Sequence, residues 1–149
     1  MTRLSDIPVK VEFKQLKESN LAIAKFVLQN IKAALEDWLE TGRPGAIDLK
    51  NVPRMAPETY DYLKQALGAG ETTIMIEAMA RVEIRETQYP GVWWVTHIND
   101  RGDTVTEIIE ITEIPVILKP HAVDVREGLQ RLESALAEPG SEGSSVALN

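Results

Sequence analysis

The chain contains no cysteine, and that one absence removes several kinds of chemistry. Disulfides, thiolate-bound zinc, cysteine-held iron–sulfur clusters and thiol nucleophiles are all excluded from its own side chains. Histidine is nearly as scarce. Only His97 and His121 are present, nothing in the sequence pairs them, and no cofactor or metal is expected. Basic residues are outnumbered: 16 Lys and Arg against 23 Asp and Glu leave a formal charge of −7. A general nucleic-acid binder needs a basic footprint for phosphate, so that class is disfavoured. No apolar run approaches the length of a membrane span, and the first residues lack the apolar core of a signal peptide. A cytoplasmic protein without membrane insertion is expected. At 149 residues the chain suits one domain, in which folding buries roughly 68–70% of the extended chain's surface.

Periodicity predicts the organisation. Met1 to Asp6 reads as a loose start, and Val9, Val11 and Phe13 alternate with charged residues as in a half-buried strand. After Ser19-Asn20, which suit a helix N-cap, Leu21, Ala24, Leu28, Ile31, Leu35 and Trp38 recur at helical spacing, and Gly42 is placed to end the helix. Ala46 to Leu49 reads as a short strand. Pro57 opens a second helix with Tyr60, Leu63 and Leu67 inward, closed by Gly68 to Gly70. Strands are predicted over 72–78, 82–88, 92–98 and 104–112, the last two joined by a type I turn with Gly102 in the left-handed region. Val116 to Leu118 reads as extended. A last helix carries Val125, Leu129, Leu132 and Leu136 on one face. The prediction is an α+β fold: an antiparallel β-meander packed on one face by two or three helices, a single domain over 1–137, with a disordered tail over 138–149.

The segment Glu86-Thr87-Gln88-Tyr89-Pro90-Gly91-Val92-Trp93-Trp94 places two of the three tryptophans side by side at the mouth of a strand. Neighbours on a strand point to opposite faces, so both indoles cannot enter the same core. On the next strand Val105, Ile109 and Ile111 form the better core face, together with Glu107. A three-residue turn with a bulge at Gly102 aligns Trp93, Val95 and His97 with that face and turns Trp94 outward. A shift of one residue in register would swap the two indoles. An outward Trp94 framed by Tyr89, Pro90, Glu86 and Glu110 makes a candidate partner-binding surface of rigid aromatics in acidic surroundings.

Catalytic constellations are weaker. Glu71, Glu77, Glu83, Glu86, Glu107, Glu110 and Glu113 read as solvated strand positions that discourage edge pairing, and carboxylates do acid–base work only when a cleft perturbs them. The oxygen-rich run Asn99-Asp100-Arg101-Gly102-Asp103 reads as a turn, since Arg101 opposes a cation and further calcium ligands are missing. No serine sits beside a histidine or in a Gly-x-Ser-x-Gly frame. Gly68-Ala69-Gly70 falls at a helix end, where a phosphate cradle needs a helix start. No enzyme is expected; a small carboxylate-dependent hydrolase is the distant alternative, after a self-associating interaction module.

Four blocks carry a resemblance: Gly45-Ala46-Ile47-Asp48-Leu49 with Pro53; Leu67-Gly68-Ala69-Gly70-Glu71; Glu86-Thr87 through Pro90-Gly91-Val92-Trp93-Trp94; and Ile109-Glu110-Ile111 before Ile114-Pro115. In order and spacing the chain resembles the C-terminal region of the HupH/HyaF family of hydrogenase expression and maturation proteins, over most of residues 20–137. The resemblance implies a non-enzymatic chaperone or adaptor in nickel–iron hydrogenase maturation. Its implied partners are the small iron–sulfur subunit precursor, that precursor's twin-arginine signal peptide, and a thioredoxin-like companion. A homodimer is the other assembly considered. The pattern departs from the family in two places. Longer members carry an additional N-terminal region, and relatives often use Gly at the turn Ala78-Met79-Ala80. Without cysteines, any role in iron–sulfur assembly is indirect.

Overall fold

Trp38, near the end of the first helix, lies against the bare backbone of Gly91 at the mouth of a central strand. The computed structural model describes residues 16–138 and Gly140. The expected strand at Val9, Val11 and Phe13, the start at Met1 to Asp6 and nearly all of the tail fall outside these residues. In chain order the elements are α1 (Glu18–Thr41), β1 (Gly45–Asp48), a 3-10 turn (Leu49–Asn51), α2 (Pro57–Leu67), β2 (Thr73–Glu77), β3 (Arg81–Glu86), β4 (Val92–Ile98), β5 (Thr104–Ile111), a second 3-10 turn (Val116–Leu118) and α3 (Ala122–Ala137).

Local chemistry sets the boundaries. α1 begins at Glu18 behind Lys17, slightly ahead of the expected Ser19-Asn20 cap and without a side-chain capping bond. It ends where Gly42 turns left-handed (φ 76°) and its N–H returns to Trp38 O at 2.8 Å. Pro57 occupies the first turn of α2, where its missing N–H leaves no bond unmade. Val116–Leu118 closes as a 3-10 turn rather than extending, because Leu118 N–H reaches Pro115 O and Lys119 N–H reaches Val116 O.

The five strands form one antiparallel sheet in the order β1-β5-β4-β3-β2, so the fold is α+β. β2 to β5 are the expected meander, and β1, which precedes them in sequence, adds to the free side of β5. One face of the sheet meets α1 and α2. There Ala24, Val27, Ile31, Leu63 and Leu67 close on Leu49, Val92, Trp94, Ile109 and Ile111.

That core reverses the expected roles of the two tryptophans. Near the turn the register is as expected: Asn99 N–H bonds Asp103 O, and Ile98 opposes Thr104. His97, however, opposes Thr106, so Val105 is an extra residue with no partner across the ladder. This bulge moves every later pair by one, and Trp94, not Trp93, shares a face with Ile109 and Ile111. Trp94 is 5% exposed against the helices. Val105, expected in the core, is 49% exposed. Trp93 turns to the opposite face, where it is 9% exposed, with buried Ile84 and Val95 for neighbours, and its Nε1–H donates to Thr112 O at 3.1 Å. Both indoles are buried, on opposite sides of one sheet.

The chain forms two compact units, one ending at Glu113 and the other starting at Ile114. In the second, no residue of α3 is buried. Val125, Leu129, Leu132 and Leu136, which share one face of the helix, are 54–79% exposed.

Candidate functional site

The segment from Glu86 to Gly91 ties the sheet to the end of α2. Thr87, 3% exposed, donates its hydroxyl to Val92 O at 2.9 Å and accepts Tyr89 N–H at 3.1 Å. Gln88 N–H bonds Leu67 O at 2.9 Å, and its side-chain amide bonds Ala66 O at 3.0 Å. These bonds occupy carbonyls that a helix end leaves without intrahelical partners. Glu86 Oε2 accepts the N–H groups of both Glu71 and Thr72 at 3.2 Å, while Glu86 O accepts Gly70 N–H. A Cβ at Gly70 would sit 2.6 Å from Thr87 O, so the two segments approach as only glycine permits. Thr87→Val keeps the shape and removes the hydroxyl, leaving Tyr89 N–H short of its partner. The expected loss of stability is about 1–3 kcal/mol, read from chemical denaturation midpoints.

Of the five residues expected to form one partner-binding surface, Glu86 and Trp94 line a common cleft, and Tyr89, Pro90 and Glu110 lie outside it. Tyr89 and Pro90 are exposed at the turn. Trp94 lies in the core, and Glu110, paired with Trp93, belongs to the other side of the sheet. The Glu86 carboxylate is engaged by backbone N–H groups of its own chain. A single surface of all five needs an outward Trp94, and the bulge at Val105 turns that indole inward.

A different site opens where the helical cover of the sheet ends. Register places Arg85 beside Trp94, and Glu83, Thr96 and Glu107 in the adjacent row of the same face. With Lys64, Gly68 and Ala69 at the end of α2 as a wall, these residues line an open cleft of about 530 Å³. Glu107 is the most enclosed of its charges. It accepts Trp94 Nε1–H at 2.7 Å and faces Lys64 Nζ at 3.9 Å, and Lys64 lies 5.4 Å from the centre of the Trp94 ring. Glu83 bridges Arg85 at 3.2 Å and Arg81 at 3.8 Å. Partial burial holds the Tyr60 phenol above its usual pKa, with the negative charges of Glu107 and Asp48 adding to the effect. Charges of alternating sign on an aromatic floor suit an extended segment that carries both apolar and charged groups. The sequence pattern puts Glu107 on the core face but reads it and Glu83 as solvated, whereas the fold encloses most of both side chains. The usable signal was Glu83 and Arg85 two apart on one strand, facing a strand that carries Trp.

His97 Nδ1 lies 2.8 Å from Thr106 Oγ1 across the ladder. Asn99 Oδ1 accepts the N–H groups of Arg101 and Asp103 at 2.9 Å, so this oxygen serves the turn. No group of three metal-ligating side chains occurs among the described residues. Nor is any helix among them long and apolar enough to cross a membrane.

The four sequence blocks meet around these features. Leu67 to Glu71 is bound to Glu86 to Gln88, and Val92 to Trp94 pairs with Ile109 to Ile111, which pairs in turn with Gly45 to Ile47. Residues 21–138 match the family model described as HupH hydrogenase expression protein, C-terminal conserved region. The chain belongs to this family. Among curated relatives, the hydrogenase expression/formation protein HoxQ of Cupriavidus necator is 29% identical over 116 residues, covering 75% of this chain and 41% of its own length. HupQ of Azotobacter chroococcum is 30% identical over 115 residues, covering 77% of this chain and 39% of its own. The chain therefore spans about two fifths of these relatives. A solved structure, the hydrogenase expression protein HupH from Thiobacillus denitrificans, superposes with a TM-score of 0.73 at 32% identity, over 76% of this chain and 94% of that one. The family's conserved region, residues 21–138 here, thus takes in the sheet with α1 and α2 and also α3.

Proposed function

We propose that this chain is a non-enzymatic accessory protein in the maturation of a nickel–iron hydrogenase, acting as a chaperone or adaptor for the small iron–sulfur subunit precursor. The match of residues 21–138 to the conserved region of hydrogenase expression proteins carries this reading. The cleft beside Trp94 supports it. An open, mixed-charge groove with an aromatic floor accepts an extended segment without demanding one side chain at one position. In this reading the precursor segment, including its signal peptide, lies across Glu83, Arg85 and Glu107. Exposed Tyr89 and Pro90 add a second contact, and a thioredoxin-like companion binds alongside in the cytoplasm.

The test is capture of purified small-subunit precursor on this chain, with and without the signal peptide. Strong capture that falls on removing the signal is expected. Glu83→Gln should weaken capture severalfold while the denaturation midpoint is kept. Failure to capture either form overturns the reading, and undiminished capture without the signal moves the contact to the subunit body.

A further inference from the structure

The helix α3 carries a surface that the function proposed above does not use. Ala122, Val125, Leu129, Leu132 and Leu136 follow the alternating spacing of three and four residues that marks the seam of a coiled coil. The four large side chains of this seam are 54–79% exposed, and no residue of the helix is buried. Asp124, Glu127 and Arg131 lie off the seam, so the helix is amphipathic with its apolar side open. A 16-residue helix interrupted by Gly128 is marginal in water by itself, because nucleation is costly and glycine weakens the interior. Such a helix requires something to lie on.

We infer that α3 is a self-association element that pairs antiparallel with α3 of a second copy. In the two-fold arrangement that opposes Leu129 to Leu132 and Val125 to Leu136, all four large seam residues find apolar partners. The positions flanking the seam on one side are Arg126 and Glu133, and this same register sets Arg126 of each copy beside Glu133 of the other. Sliding the helices by one heptad in either direction would bring Arg126 against Arg126 or Glu133 against Glu133. A parallel pair would set Glu133 beside Gly128, and His121 beside Arg126, with no opposite charges matched. Apolar matching and charge matching therefore select one register and one orientation. Within the helix the other flank holds Gly128 and Ala135, which offer no bulk to keep the helices apart. A two-fold interface of this kind uses the same patch on both copies and closes at the dimer. The seam is short, so the association is concentration-dependent. This inference is independent of the hydrogenase reading.

Sedimentation equilibrium of the whole chain over a wide concentration series tests it. The mass is expected to rise toward twice the 16.6 kDa of one chain. Leu132→Glu should abolish the rise while leaving the denaturation profile of the sheet unit unchanged, since Leu132 is exposed in the single chain. Arg126→Glu and Glu133→Arg should each weaken association at least severalfold, and the double exchange R126E/E133R should restore it. A mass fixed at that of one chain at every concentration overturns the proposal. So does a dimer that survives Leu132→Glu, or one that the double exchange fails to restore. Binding of hydrogenase precursor lost on Leu132→Glu in a strictly monomeric protein would assign the seam to that client instead.

Discussion

Replacing Trp94 by alanine is expected to cost about 3–5 kcal/mol of folding stability, read as a large drop in the urea midpoint. Trp94 is 5% exposed and packs in the cluster of α1, α2 and the sheet that holds Ala24, Val27, Ile31, Leu63, Ile109 and Ile111. Truncation leaves a cavity that helices crossing a rigid sheet close only in part. It also removes the N–H donor from Glu107, a carboxylate with little solvent left to replace the bond. A loss of this size is a large share of the about 5–15 kcal/mol that holds a typical domain together. A change below about 1 kcal/mol would mean that the indole is not in the core and that the register of β4 against β5 is wrong. Any loss of precursor binding by this variant must therefore be read against its folded fraction.

The second large effect belongs to Gly91. Gly91 and Gly102 share the same left-handed φ of 88°, but their surroundings differ completely. At Gly102 an added Cβ meets nothing within 4 Å, whereas at Gly91 it would lie 2.7 Å from Trp38 Cζ3. Both alanine variants carry the strain of a side chain in the left-handed region, about 1–2 kcal/mol. Gly91→Ala adds overpacking against the Trp38 ring, about 1–3 kcal/mol more. Parallel thermal or urea denaturation of the two variants isolates that difference, and equal losses would show that Trp38 does not rest on this backbone. Trp38→Leu combined with Gly91→Ala should recover the steric part alone, giving a favourable coupling in the double-mutant cycle.

Local rules were enough for most elements. Proline at the start of α2, glycine at the ends of α1 and α2, and period-two alternation in the strands each act within a few residues, and each led to an element near its observed bounds. The candidate site was less legible. Glu83, Arg85, Thr96, Glu107 and Lys64 come from four different elements, and they share a cleft only because the ladder registers bring them to one face. The Glu86 carboxylate looked like surface charge. It is instead an acceptor for two backbone N–H groups fifteen and fourteen residues away, a relation no local pattern encodes. For α3 the periodicity is legible, but an apolar stripe states that a helix will pack and does not state against what.

By itself, the sequence determined the kinds of element, their order, the meander, the absence of thiol chemistry and the family. The family rests on the order and spacing of four motif blocks; the other properties follow from backbone conformational limits, side-chain periodicity and composition, which act residue by residue. Only the tertiary structure decided which tryptophan meets the helices. One unpaired residue, Val105, shifts the ladder between His97 and Ile98. Strand side chains alternate with a period of two, so a single extra residue exchanges the faces of everything beyond it. The energy that places the bulge comes from burying Trp94, Ile109 and Ile111 under α1 and α2, contacts made between segments far apart in the chain.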